Sequence, residues 1–201
     1  MPTQKERRQE TRARMLDAAS REFRSHGFAG VGVDAIAKSA GATSGAFYAH
    51  LGSKDGAFKA ALEVGLDEVI KGVPIYQKES GEKWVEAFAK YYLGKDHRMN
   101  TASGCAMTTL SPEVSRSGPD IQAIYERKMK IIVDLIAHGL AGASMSDKRQ
   151  RAWSIISTLI GGLTAARAVE SDQVAEEISN SITKSVVILA GGTRAIPDAR
   201  D

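Results

Sequence analysis

Apolar residues recur every third or fourth position along almost the whole of this chain, a spacing that builds amphipathic helices. Leu16, Ala19 and Phe23 make one such stripe, and Phe58, Leu62, Leu66 and Val69 make another. Ile121, Ile124, Tyr125, Ile131, Ile132, Leu135 and Ile136 form the strongest. Trp153, Ile156, Ile160 and Leu163, then Val174, Ile178, Ile182, Val186 and Leu189, complete the series. No stretch alternates apolar and polar convincingly, as a half-buried strand would. Few aromatics (6%) and only five prolines also suit packed helices better than a sandwich. The expected fold class is all-α, with about nine helices.

Breakers and caps divide the series. The first helix is expected over residues 10–26, stopped at His26-Gly27, with its arginines mostly solvated. A short helix over 33–40 carries Asp34 in its first turn, where a negative charge suits the helix dipole, and Gly41 ends it. Thr43 is placed to cap a helix over 44–51, and Ser53 to cap a longer one over 54–72. Beyond Pro74, helices are expected over 80–93, 119–140, 147–169 and from Val174 to a stop at Gly191-Gly192, with a mixed stretch over 101–117.

Three short helices followed by a long one, with Gly41 and Thr43 in the tight turn, is the layout of a helix-turn-helix. Ile36, Ala37, Phe47 and Leu51 would lock the two helices from behind. The outer face and N-terminus of the second helix would then be free for a DNA groove. Charge agrees in direction: residues 1–59 carry ten Lys/Arg against six Asp/Glu, and the remainder 17 against 18.

The run Gly41-Ala42-Thr43-Ser44-Gly45-Ala46-Phe47-Tyr48-Ala49-His50-Leu51-Gly52-Ser53-Lys54-Asp55 resembles the helix-turn-helix of the TetR (tetracycline-repressor-type) regulators. Residues 14–28 and 33–37 are similar to the family's first and second helices, so the resemblance covers about residues 10–60. It implies a helix-turn-helix domain over 1–53, including a basic arm over 1–8, and a helical ligand-binding and dimerisation domain over 54–201. It implies double-stranded DNA, a second copy of the chain and a small-molecule effector as partners, and a repressor rather than an enzyme. It sets Thr43, Tyr48, His50 and Lys54 at phosphate-contacting positions and Ser44, Gly45, Ala46 and Ala49 toward base edges. Gly32-Val33 departs from the family pattern by lacking a hydroxyl, and the base-facing residues are nearly all small. Ala46 and Ala49 have mainly thymine methyls to meet. Lys5, Arg7 and Arg8 on the arm are therefore expected to add affinity.

The resemblance implies an effector pocket, for which Trp84, Phe88, Tyr92, Cys105, Met107, Met129 and Trp153 are candidates, although helical spacing by itself reads each of them as plain core first. Gly161-Gly162 with Ala165 and Ala166 suggests close helix approach, because glycine inside a helix costs about 1 kcal/mol relative to alanine. With Ile178, Ile182 and Leu189 these residues are expected to form a four-helix dimer interface, an intrachain contact being the alternative. The histidines share no ligand spacing with each other or with Cys105, so no metal or other cofactor is expected. One cysteine, no leader-like segment and no run of about 20 apolar residues point to the cytoplasm and away from a membrane. The competing reading, kept open by the small base-facing side chains, is a helical ligand-binding or protein-interaction module whose DNA-binding part is degenerate.

Overall fold

The computed structural model describes residues 3–142 and 144–191. Among these residues there are ten α-helices, one 3-10 turn and no strand. The helices are α1 Gln4–Gly30, α2 Val33–Ser39, α3 Ser44–Leu51, α4 Lys54–Ser80, α5 Trp84–Tyr92, α6 Lys95–Met99, α7 Ala106–Ser115, α8 Pro119–His138, α9 Met145–Ala168 and α10 Asp172–Leu189. The 3-10 turn Gly81–Lys83 joins α4 to α5. The all-α expectation holds, and the short α6 is the helix that periodicity did not place. Gly192, part of the expected stop after the last helix, lies outside the described residues.

The chain divides into two compact units. One comprises residues 1–69 and 100–129, the other 70–99 and 130–201. Residue 53, the expected boundary, falls inside the first unit, where α7 and the first half of α8 join α1–α3 and the first part of α4.

In the first unit, α1, α2 and α3 pack mutually around Met15, Ala19, Phe23, Ile36 and Phe47, all fully buried. Phe23 and Phe28 each set an edge against Phe58 of α4, with ring centroids 5.3 Å apart. The start of α1 corrects the sequence reading. Thr3 and Glu6 form a reciprocal capping box: the Thr3 N–H donates to Glu6 Oε2 (2.6 Å) and the Glu6 N–H to Thr3 Oγ1 (3.3 Å). Helix thus begins at Gln4 rather than Glu10, and Lys5, Arg7 and Arg8 stand on its first two turns instead of on an extended arm. The Thr3 N–H and the Thr3 hydroxyl, both donating to Oε2, hold the Glu6 carboxyl below its usual range. The predicted break at Gly27 is present as φ +72°, although helical pairing resumes as far as Gly30.

Arg24 is the larger correction. Read as a solvated charge, it is buried, donating from Nη1 to the Gly104 carbonyl (3.0 Å) and pairing through Nη2 with Glu68 of α4 (3.1 Å). Helix periodicity missed it because its partners lie 44 and 80 residues away in sequence.

The second unit packs α5, the end of α4, the second half of α8, α9 and α10. Phe88, Tyr92, Ile136, Ile156, Leu159, Leu163 and Val186 are buried in it. This helix was expected over 54–72, yet α4 continues through Pro74 to Ser80. Tertiary contacts hold the last turns: Tyr76 packs on Phe88 and Tyr91, and Gln77 Nε2 donates to the Leu135 carbonyl at 2.8 Å. Such contacts override a local breaker. Arg98 of α6 repeats the motif of Arg24, donating from Nη1 to the Leu93 carbonyl (2.8 Å) and Ser179 Oγ (2.9 Å), and from Nη2 to Glu176 (3.1 Å).

Gly162 is buried, and a Cβ added there would stand 2.7 Å from Ile182 Cγ1 and 3.2 Å from its Cβ. A branched side chain gives way little. Gly162→Ala should therefore destabilise the protein by about 1–3 kcal/mol in urea unfolding despite the better helix propensity of alanine. Unchanged or raised stability would show that α10 moves aside freely.

Candidate nucleic-acid interface

The turn between α2 and α3 is set by hydrogen bonds at the end of α2. The Gly41 N–H donates to the Lys38 carbonyl (3.0 Å) and the Ala42 N–H to the Ala37 carbonyl (2.9 Å). That closure needs a left-handed residue, and Gly41 supplies it at φ +64°. Thr43 then caps α3 by accepting the Ala46 N–H at 3.2 Å. Seven helical residues, a glycine turn and a capped helix of eight residues follow directly from local sequence signals.

Packing decides which face of α3 is left outward. Phe47 is 0% exposed and Leu51 8%, while Ile36 and Ala37 close the contact from α2. Gly45 and Ala49 are exposed, Ser44 and Ala46 half-buried, and Tyr48 is 55% exposed with its ring edge-on to Phe47. None of the four base-facing candidates is sealed inside. Thr43 is exposed, and His50 is half-buried on the last turn of α3. Lys54, at the start of α4, holds its ammonium 4.5 Å from the centre of the Phe28 ring.

One partner was not foreseen. Ser44 Oγ donates to Asp34 Oδ1 of α2 at 2.5 Å, tying the first residues of the two helices together. Asp34 had been read only as a dipole partner. Its placement ten residues from a serine in a helix-turn-helix was the available signal. A hydroxyl that donates to Asp34 keeps its lone pairs, so Ser44 faces outward as an acceptor.

Lys5, Arg7 and Arg8 are all exposed on α1, and Lys5, Arg8 and Arg12 share a face at three- and four-residue spacing. The pocket candidates are divided. Cys105, Met107 and Met129 are buried in the first unit, whereas Trp84, Phe88 and Tyr92 are buried in the second, where Trp153 is 39% exposed. Of these, Trp84 lines an open cavity of about 520 Å³ with Leu140 and Val187, and its indole donates to the Gly139 carbonyl at 2.9 Å. In the first unit Tyr125, not selected from sequence, shares a 2.7 Å hydrogen bond with Ser111. Burial pushes its phenol above the usual range against the effect of that bond.

The expected dimer stripe also separates. Gly162 and Ala166 are buried, and Gly162 meets Ile182 of its own chain; this is the intrachain contact, and it corrects their place in an interface. Gly161 and Ala165 face outward, with nothing within 4 Å of a Cβ at Gly161. Ile178, Ile182 and Leu189 are half-buried. Among the described residues no group of three or more His, Cys, Asp or Glu side chains is arranged to hold a metal, and no helix is long and apolar enough to cross a membrane.

Comparison with known proteins agrees with this geometry. Residues 15–61 match the family model of bacterial regulatory proteins of the TetR family. The chain is 33% identical over 124 residues to the HTH-type transcriptional repressor SCO4008 of Streptomyces coelicolor, a match covering 62% of this chain and 64% of that repressor. Among solved structures it is similar to SCO4454, a TetR-family transcriptional regulator from Streptomyces coelicolor. There the TM-score is 0.73 and the identity 22%, covering 91% of this chain and 95% of the other. A TetR-family regulator from Cytophaga hutchinsonii gives a TM-score of 0.72 at 16% identity, covering 97% and 98%. At these identities the structural likeness establishes the fold. The glycine turn and the capped α3 lie inside the matched residues 15–61, and it is this stretch of the chain that is similar to the TetR regulatory proteins.

Proposed function

We propose that this chain is a homodimeric repressor that binds a palindromic DNA operator through α3 and is released by a small-molecule effector. The observation that carries the reading is the two-sidedness of α3, with Phe47 and Leu51 buried and Gly45, Tyr48 and Ala49 exposed. A helix pinned from behind in this way offers its other face to a major groove. Residues 1–53 supply the DNA contacts, and the helices after them hold the effector and the second copy.

The base-facing side chains offer thymine-methyl contacts from Ala46 and Ala49 and one acceptor at Ser44. Discrimination by so few groups leaves a large share of selectivity to DNA shape and of affinity to phosphate contacts. Tyr48, Thr43, His50 and Lys54 make those contacts around α3, with Lys5, Arg7 and Arg8 adding charge from the first turns of α1. The effector acts by linkage. A ligand that prefers a dimer whose α3 helices stand away from the 34–36 Å spacing of successive grooves lowers DNA affinity by the ratio of its two affinities.

For the dimer we place the outward faces of α9 and α10 together, with Gly161 and Ala165 admitting close approach. Trp153 at 39% exposed, Val174 at 41% and Ile188 at 53% are large apolar groups left on these helices. The same small side chains on α3 keep a second reading in play, a helical module with a degenerate DNA-binding part.

Selection of bound duplexes from random sequence, followed by competition with unrelated DNA at fixed salt, separates the two readings. A palindrome that unrelated DNA cannot displace is expected, and equal displacement would overturn the repressor reading. Tyr48→Phe should weaken binding by about 3–10-fold on specific and non-specific DNA alike, since one phosphate hydrogen bond is worth about 1 kcal/mol. Lys54→Gln should make the slope of log affinity against log salt shallower by about 0.9. Wild-type values for both variants would remove these residues from the interface. Gly161→Leu should give a folded monomer in sedimentation velocity; a native dimer would move the interface elsewhere.

A further inference from the structure

Within the first unit, α1, α4 and residues 102–103 line an open cavity of about 380 Å³ that lies apart from α3 and from every residue assigned above to DNA or to an effector. Two of its lining side chains, one turn apart on α1, are more than nine-tenths buried: Ser20 at 7% exposed and Arg24 at 6%. Both carry a polar atom with no hydrogen-bond partner among the described residues, Ser20 Oγ and Arg24 Nε. Buried polar groups are nearly always paired, and each orphan costs free energy. These two orphans sit one turn apart on residues that line a cavity of ligand-binding size, so two unused donors lie just behind its wall.

The charges around it define what it takes. Arg24 already meets Glu68 and the Gly104 carbonyl, and Arg21 on the rim is paired with Asp17 at 3.1 Å. Two bases and two acids are thus matched, and no counter-charge is wanting. What is wanting is an acceptor oxygen for the Arg24 Nε–H and the Ser20 hydroxyl. Leu16, Val64, Ala13 and Ala102 supply apolar wall for the rest of the occupant. We infer that this cavity binds a small uncharged molecule with a short apolar body and a carbonyl-type oxygen, held by Ser20 and Arg24. Both orphan atoms are closed to solvent, so the site requires the Ser20 and Arg24 side chains to turn toward the cavity when the occupant enters.

Butanamide, butanoate and butylammonium share one chain and differ in charge, so they serve as probes. Their binding to the DNA-free protein is followed by chemical-shift titration. Butanamide should bind at least fivefold more tightly than either ion. Ser20→Ala should weaken it tenfold or more while raising the thermal midpoint of the free protein, because an unpaired buried hydroxyl is removed. Val64→Trp changes a side chain that is 39% exposed at the mouth and should abolish binding without touching Ser20 or Arg24. Equal or tighter butanoate binding would overturn the assignment of an uncharged ligand. No binding by any probe, or binding indifferent to Val64→Trp, would overturn the site itself. Because no DNA is present, these outcomes are independent of the repressor reading.

Discussion

Burial of Phe47 is the interaction on which the outward face of α3 depends. The ring lies on the inner side of α3, against α1 and α2, and is fully removed from solvent. Burying such a side chain contributes about 1.5–3 kcal/mol. In a helix of eight residues, too short to be stable alone, that contribution decides whether and how α3 is held. Once Phe47 and Leu51 point inward, the 3.6-residue period leaves Gly45, Tyr48 and Ala49 no place but outside. The Gly41 turn and the Thr43 cap fix where the helix starts, and hence which side chains fall on each face. The short bond from Ser44 to Asp34 adds a second tie at the N-terminal end of the helix.

Each compact unit contains one buried arginine used in the same way. Arg24 and Arg98 each donate to a backbone carbonyl beside a helix end, Gly104 before α7 and Leu93 at the close of α5. Each pairs outward with a glutamate that is more than half exposed. A fully buried ion pair frequently gains less than its desolvation costs. Here the carboxylate stays in water and the guanidinium serves mainly as a fork of donors for carbonyls that no helix satisfies. That explains charged residues on faces where periodicity alone would place leucine. The Arg24 Nε is buried with no partner among the described residues, which singles out its surroundings.

Elements governed by neighbours in sequence were legible and those governed by distant contacts were not. Helix α3 was placed to the residue, and α2 to within one, because Gly41, Thr43 and Gly52 act locally. The capping box at Thr3 and Glu6 was equally local and could have been read; treating the basic run as an arm hid it. The last turns of α4, beyond Pro74, were not legible because they rest on the contacts of Tyr76 and Gln77 with distant residues. Arg24 misled because its carbonyl partner lies 80 residues on. The aromatic and methionine candidates show the same limit: helical spacing marks them as inward-facing but carries nothing about which of them share a wall.

The glycine pair in α9 shows how one motif serves two contacts. Successive residues of an α-helix point about 100° apart, so Gly161 and Gly162 cannot admit the same neighbour. Gly162 and, four residues on, Ala166 lie on the face turned to the chain's own core, where Ile182 of α10 occupies the space a side chain would need. Gly161 and Ala165 repeat the small-residue spacing one position earlier, on an exposed face where, among the described residues, nothing lies within 4 Å of a Cβ at Gly161. The cost of the first glycine is offset by close packing of α9 on α10. The cost of the second has no such offset within the protomer, and a second protomer laid along that face would supply one.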